Sequence, residues 1–354
     1  MSDLSKLDQN LVAQSTIDPK IREAMDFCNV DLPPFSLHGV FREGDHYVRI
    51  PGEISSAINP RVHTLASYCA GGRIRFATDS PRICVHIQCT PYERSAHFAL
   101  TGTAGLDVYA DHEGTQRYFG TCIPPMEYGG GFESLITFPG KKMRTVTINM
   151  PQYNGICNIY VGIEKGCALE AAPALIQPPV VYYGSSITQG GCASRPGASY
   201  QAILHRQLKT DYINLGFSGN AKAEEILMRY IASLDMCAFV YDYDHNAPTA
   251  QHLEATHHAG YRIIRQRHPN IPIIMMTRPK YYLSDAELER NAVVRRSYAQ
   301  AVAAGDQNVY FIDGRELIAP EVREFALVDN THPTDAGFYS MAKRLLPLLQ
   351  QLVD

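Results

Sequence analysis

The chain has 354 residues, with 32 Lys and Arg against 36 Asp and Glu and a formal net charge of −4. That length exceeds what one core usually needs, so two domains are expected. The slightly acidic balance offers no basic surface for nucleic acid or anionic lipid, and no apolar run reaches the ~20 residues of a membrane span.

Residues 1–20, MSDLSKLDQNLVAQSTIDPK, lack the apolar core of a secretion signal, and residues 1–35 read as an N-terminal arm. The nine cysteines are odd in number and form no CxxC pair, which predicts free thiols in a reducing cytoplasm. From there the chain reads as β structure. HYVRI (46–50), GRIRFA (72–77), RICVHIQ (82–88), HFALT (97–101), GLDVYAD (105–111), RYFGTCI (117–123), RTVTINM (144–150) and CNIYVGIE (157–164) are short and alternating. Ile83, Val85 and Ile87 share one face of their strand, and Arg82 and His86 the other. This pattern predicts a β-sandwich of jelly-roll type over residues 36–172.

The Pro-rich stretch 171–179 marks a change of period. PPVVYYG, DYINLGF, AFVYDYD, IPIIMMT and VYFIDG are apolar runs without alternation, as expected of strands buried on both faces. Helical spacing at 198–208, 223–233, 253–268, 286–304 and 335–352 separates them. Residues 173–354 therefore read as a flavodoxin-like α/β/α domain with a parallel sheet.

Ligands of such a sheet collect beyond the carboxyl ends of its strands. The first strand ends in Gly184-Ser185-Ser186, which reads either as a Ser-rich cap or as a turn presenting a nucleophile. A serine nucleophile needs a base, and the base needs an orienting carboxylate. Asp329 and His332 supply both on one short loop before the last helix, unless they merely cap it. A tetrahedral intermediate also needs donors aimed at its oxyanion. Ser186 N–H, Gly219 N–H after the second strand and the Asn246 amide after the third are candidates.

The blocks GSSI (184–187), GFSGN (216–220), DHNAP (244–248) and DNTH (329–332), in that order, resemble the SGNH (GDSL-like) hydrolases. The resemblance implies Ser186 as nucleophile with Asp329 and His332, an oxyanion hole of Ser186, Gly219 and Asn246, and no metal or cofactor. The family's Gly-Asp-Ser reads Gly184-Ser185-Ser186 here, and its Gly-x-Asn-Asp reads Asp244-His245-Asn246-Ala247. Gly105-Leu106-Asp107-Val108-Tyr109 is similar to the Gly-x-Asp-Leu-Tyr segment of an N-terminal β domain found before one SGNH subgroup, with Val108 replacing Leu. Members of that subgroup are mostly acyl-hydrolases, often of carbohydrate esters, and some relatives are acyltransferases.

The expected protein is a cytoplasmic serine esterase for short acyl, above all acetyl, esters of a small molecule or oligosaccharide. It takes no nucleic acid or membrane partner, and a homo-oligomer is left open. The alternatives are an acyltransferase with the same acyl-enzyme and a non-catalytic carbohydrate-binding protein. Arg195 reads equally as a substrate contact or a loop-fixing salt bridge. Ser186 is preferred over Ser185, and Cys192 reads as a small buried thiol. His252, His257 and His258 read as a solvated helix face, and Asp242 with Asp244 as loop packing rather than a metal site. Asp313-Gly314 reads as a turn, and Asp107 and Tyr109 as structural.

Overall fold

A computed structural model describes residues 17–353. Residues 1–16 of the expected arm lie outside the described residues.

Two antiparallel sheets come first. One has the order 25–29, 156–164, 82–89, 131–137; the other runs 169–170, 73–78, 144–149, 106–112, 115–122, with 36–38 also pairing 73–78. Their inner faces share one core. Ile83, Val85, Ile87, Ile159 and Val161 from the first meet Ile74, Phe76, Val108, Val146 and Ile148 from the second, all fully buried. Each such side chain contributes about 1.5–3 kcal/mol relative to exposure. On the outer face, Arg82 pairs with Glu164 and His86 with Glu133, as the alternation requires.

Three details differ from expectation. The sandwich begins at Met25–Asn29, inside the stretch read as an arm, because that strand pairs with 156–164. HFALT forms no strand: Leu100–Thr103 is a short helix. Its Gly102 lies so close to the second domain that a Cβ there would sit 2.1 Å from Ala193 O, which leaves no room for a partner strand. Helices Gly52–Ile58 and Pro60–Ala66, and strand Gly131–Thr137, were not anticipated.

The second half holds a parallel sheet of five strands: β1 (Ile176–Gly184), β2 (Thr210–Gly216), β3 (Ala238–Asp242), β4 (Ile273–Met276) and β5 (Val309–Ile312). Their order is β2-β1-β3-β4-β5, the flavodoxin-like order. Neighbouring residues of one strand feed opposite cores, which is why the runs do not alternate. Val181, Tyr183, Phe239, Tyr241, Ile273 and Met275 face one side; Val180, Tyr182, Ala238, Val240, Ile274 and Met276 face the other.

Helices cover both faces. After the short α1 (Ser186–Gln189) come α2 (Tyr200–Leu208), α3 (Glu225–Ser233), α4 (Ala250–Arg267), α5 (Asp285–Ala303) and α6 (Asp335–Val353). Helices α3, α4 and α5 pack on the first face and α2 and α6 on the second. No helix among the described residues is long and apolar enough to cross a membrane.

Candidate active site

The turn after β1 is fixed before any chemistry is considered. Ser185 N donates to Asp242 O (3.2 Å), and Ser185 Oγ caps α1 by accepting from Ile187 N at 3.1 Å. Ser185 Oγ is thus engaged at the start of α1, and Ser186 carries the hydroxyl that meets the loop after β5. Gly184 and Gly216 let the three strand ends close up: a Cβ on Gly184 would lie 2.1 Å from Asp242 O, and one on Gly216 2.1 Å from Gln189 N. Thr188 Oγ1 donates to Asp242 Oδ2 (3.1 Å), tying α1 to β3. Asp242 is thereby tied into the packing of this loop. Asp244 accepts from the backbone N–H groups of His245 (2.8 Å) and Arg278 (3.1 Å).

The loop after β5 folds around Asp329. Its Oδ1 accepts from Thr331 N (3.1 Å) and His332 N (2.8 Å), while Val328 N donates to His332 O (2.8 Å) to close the turn. Asn330 takes the left-handed conformation this needs, with φ of 62°, which Asn tolerates better than most residues. Asp329 Oδ2 then accepts from His332 Nδ1 at 2.8 Å. On the other side of the ring, Ser186 Oγ donates to His332 Nε2 at 2.9 Å. Three residues from two distant loops form one hydrogen-bonded chain. Such a chain can draw a hydroxyl proton onto imidazole while the carboxylate holds the ring.

Electrostatics suit that task. Burial opposes the Asp329 charge, but the N–H groups of His332 and Thr331 outweigh it and hold the carboxyl below its usual range. Burial lowers the pKa of His332, and the charges of His97 and His245 add to that, against the opposing pull of Asp329. The shift favours the neutral imidazole, the form able to accept a proton.

The oxyanion candidates lie on neighbouring strand ends. Ser186 opens α1, where backbone N–H groups have no intrahelical acceptor. Gly219 has φ of 68°, so this turn favours glycine. Asn246 Oδ1 accepts from Ala221 N at 3.4 Å, which orients its amide from the block-two side and leaves Nδ2 to face elsewhere.

Arg195 is brought to a different place. Its guanidinium donates to Asp107 Oδ2 (2.7 Å) and to Tyr109 OH (2.5 Å) on the sandwich. The geometry carries the loop-fixing salt bridge, while the Arg195 side chain stays 27% exposed. Asp107 and Tyr109 are its structural partners. Asp313 caps the turn at Gly314–Glu316. Cys192 is part-exposed rather than buried. His257 corrects the solvated-face expectation: it is buried, stacks on Tyr241 at 4.4 Å and is bonded to Ser297 Oγ at 2.8 Å.

The sandwich also reaches the site through residues no strand-end argument finds. Phe98 lies edge-on to His332 (5.6 Å) and to Tyr153 (4.8 Å), and Tyr153 OH donates to Ser186 O at 3.3 Å. His97 Nε2 is 3.5 Å from Asp329 Oδ2. The one sequence signal for this wall is the aromatic pair His97-Phe98 in a stretch read as a strand.

Profile comparison matches residues 177–350 to the GDSL-like lipase/acylhydrolase family and residues 25–169 to the N-terminus of SGNH-hydrolase-type esterases. The chain belongs to the SGNH hydrolases. It is an SGNH-type ester hydrolase by family. No curated protein matches it in sequence. Among solved structures this SGNH hydrolase is similar to a GDSL-like lipase from Bacteroides ovatus, at 26% identity and TM-score 0.84, covering 93% of this chain and 98% of that one. It is similar in fold to a salicylyl-acyltransferase from a tetracycline biosynthetic pathway (21%, TM-score 0.76, 93% and 98% covered). An acetyl xylan esterase from Butyrivibrio proteoclasticus shares the fold at 12% identity and TM-score 0.60, again with 93% and 98% covered.

Proposed function

We propose that this SGNH hydrolase is a serine esterase that removes short acyl groups, acetyl above all, from carbohydrate. The observation that carries the reading is the chain Ser186–His332–Asp329, with links of 2.9 and 2.8 Å. Ser186 Oγ attacks the ester carbonyl as His332 takes its proton, and Asp329 holds the imidazole. Ser186 N–H, Gly219 N–H and Asn246 Nδ2 receive the oxyanion. His332 then protonates the leaving alcohol, and water releases the acid from the acyl-enzyme.

The substrate class is supported by the fold shared with an acetyl xylan esterase. The aromatic wall of Phe98 and Tyr153 beside His332 also favours a small acyl group. The nine free cysteines accord with a reducing compartment, and deacetylation of oligosaccharides in the cytoplasm is the proposed setting.

A chain-length series of 4-nitrophenyl esters with acetylated oligosaccharides tests this reading. Acetyl esters are expected to give the highest kcat/KM; preference for long acyl chains would remove the substrate assignment. The similarity to an acyltransferase favours one rival, transfer of the same acyl group to an alcohol. An acylated acceptor forming faster than free acid would establish that rival.

A further inference from the structure

Cys192, His97 and His332 come from three separate segments, yet the Cys192 sulfur and one ring nitrogen of each histidine lie within 4.8 Å of one another. We propose that they form a binding site for a thiophilic divalent cation, zinc in particular, which shuts the esterase off. The shut-off rests on the esterase reading; the binding does not.

The donor set and its spacing argue for zinc. Zinc bound by Cys at about 2.3 Å and His at about 2.0–2.1 Å in a tetrahedron places donor atoms roughly 3.3–3.6 Å apart. Side-chain shifts of about an ångström close the present spacing to that range. The three donors are held on one side of His332. Cys192 Sγ–H donates to His97 O at 3.5 Å. A Cβ on Gly191 would meet His332 Cδ2 and Phe98 Cζ at 3.1 Å, so the turn carrying Cys192 lies against the ring edge next to Nε2. His97 is 38% exposed at its side chain and gives an ion a route in.

The second shell is already built. His332 Nδ1 donates to Asp329 Oδ2 (2.8 Å), the carboxylate–imidazole pairing that orients metal-ligating histidines. Asp329 Oδ2 is also 3.5 Å from His97 Nε2, so the same carboxylate stands beside both histidines. Binding forms a sulfur–zinc and two nitrogen–zinc bonds. The thiol loses one proton to solvent, and nothing is oxidised or reduced. The cost falls on the Ser186 link: with Nε2 on zinc, His332 cannot accept the Ser186 hydroxyl proton.

The test uses metal-free full-length protein with zinc chloride, alongside Cys192→Ser and His97→Gln, each variant's inhibition being measured against its own zinc-free rate because His97 stands 3.5 Å from Asp329. Bound metal is counted after dialysis, cobalt(II) is substituted to read a thiolate-to-cobalt charge-transfer band, and 4-nitrophenyl acetate hydrolysis is followed. Wild type is expected to bind one zinc per chain and to lose activity reversibly on EDTA addition. Each variant is expected to need about tenfold more zinc or greater for the same inhibition, and Cys192→Ser to lose the cobalt band. Absence of stoichiometric zinc, or the same zinc response in both variants as in wild type, would overturn the proposal. If the protein proves inactive on esters, metal content and the cobalt band still decide the binding site.

Discussion

Arg195, on the loop that follows the nucleophile turn, donates to Asp107 at 2.7 Å, and Asp107 is fully buried in the sandwich. Asp107 also accepts from Gly197 N (2.9 Å) and Asn149 Nδ2 (2.8 Å). The Gly-Leu-Asp-Val-Tyr strand therefore fastens the active-site loop to the β domain. A Cβ on Gly197 would lie 2.5 Å from the Tyr109 ring and 2.7 Å from Asp107 Oδ2, so the loop lies directly against this strand and a side chain there would push it off.

Asp107→Ala leaves the part-buried Arg195 charge unpaired and frees Gly197. Breaking a buried pair from one side costs about 3–5 kcal/mol. A loss of that order should appear in urea unfolding, with a fall in kcat measured where the variant is still folded. Unfolding midpoints equal to wild type would remove the fastening role.

The lowered pKa of His332 has a kinetic consequence. In the proposed mechanism the neutral imidazole is the working base, so kcat/KM should rise with pH and level off, with a midpoint below the ordinary histidine value of about 6.5. A midpoint above 7 in a pH–rate profile would contradict the burial argument.

In the proposed mechanism, Asn246→Ala removes one oxyanion donor. A loss of about 100–1,000-fold in kcat is expected, with KM little changed. A fall in binding alone would place Asn246 in substrate recognition instead.

Burial pushes the pKa of His205 and His257 down to about 3. Both stay neutral in the fold, while the unfolded chain takes up their protons near pH 6.5. Between about pH 6.5 and 3 the unfolded state binds more protons, so their contribution to stability declines as pH falls. Asp242, raised by burial to about 7, runs the other way, which makes a comparison the clean measurement. His257→Gln should show a shallower acid loss of stability than wild type in pH-dependent thermal melts. Parallel curves would mean that His257 does not titrate as argued.

The Ser186–His332 link was readable because parallel strands deliver their ends to one edge. Ser186 follows β1 and His332 precedes α6, and turn residues mark those points in sequence. Tyr153, Phe98 and His97 were not readable. They come from sandwich loops, and only tertiary packing carries them to His332. His257 failed for a related reason. Its helix covers the sheet, and periodicity alone cannot tell a polar residue facing water from one bonded to Ser297 beneath α5. Arg195 stayed ambiguous until its partner, 88 residues away, was known.

The most direct test of the central claim is hydrolysis of 4-nitrophenyl acetate by wild type and Ser186→Ala, side by side, with the intact protein mass recorded early in turnover. The account predicts turnover by wild type, a transient gain of one acetyl group on that chain, and a fall of several orders of magnitude without the adduct in Ser186→Ala. Equal rates in the two proteins, or an acetyl adduct on both, would contradict it.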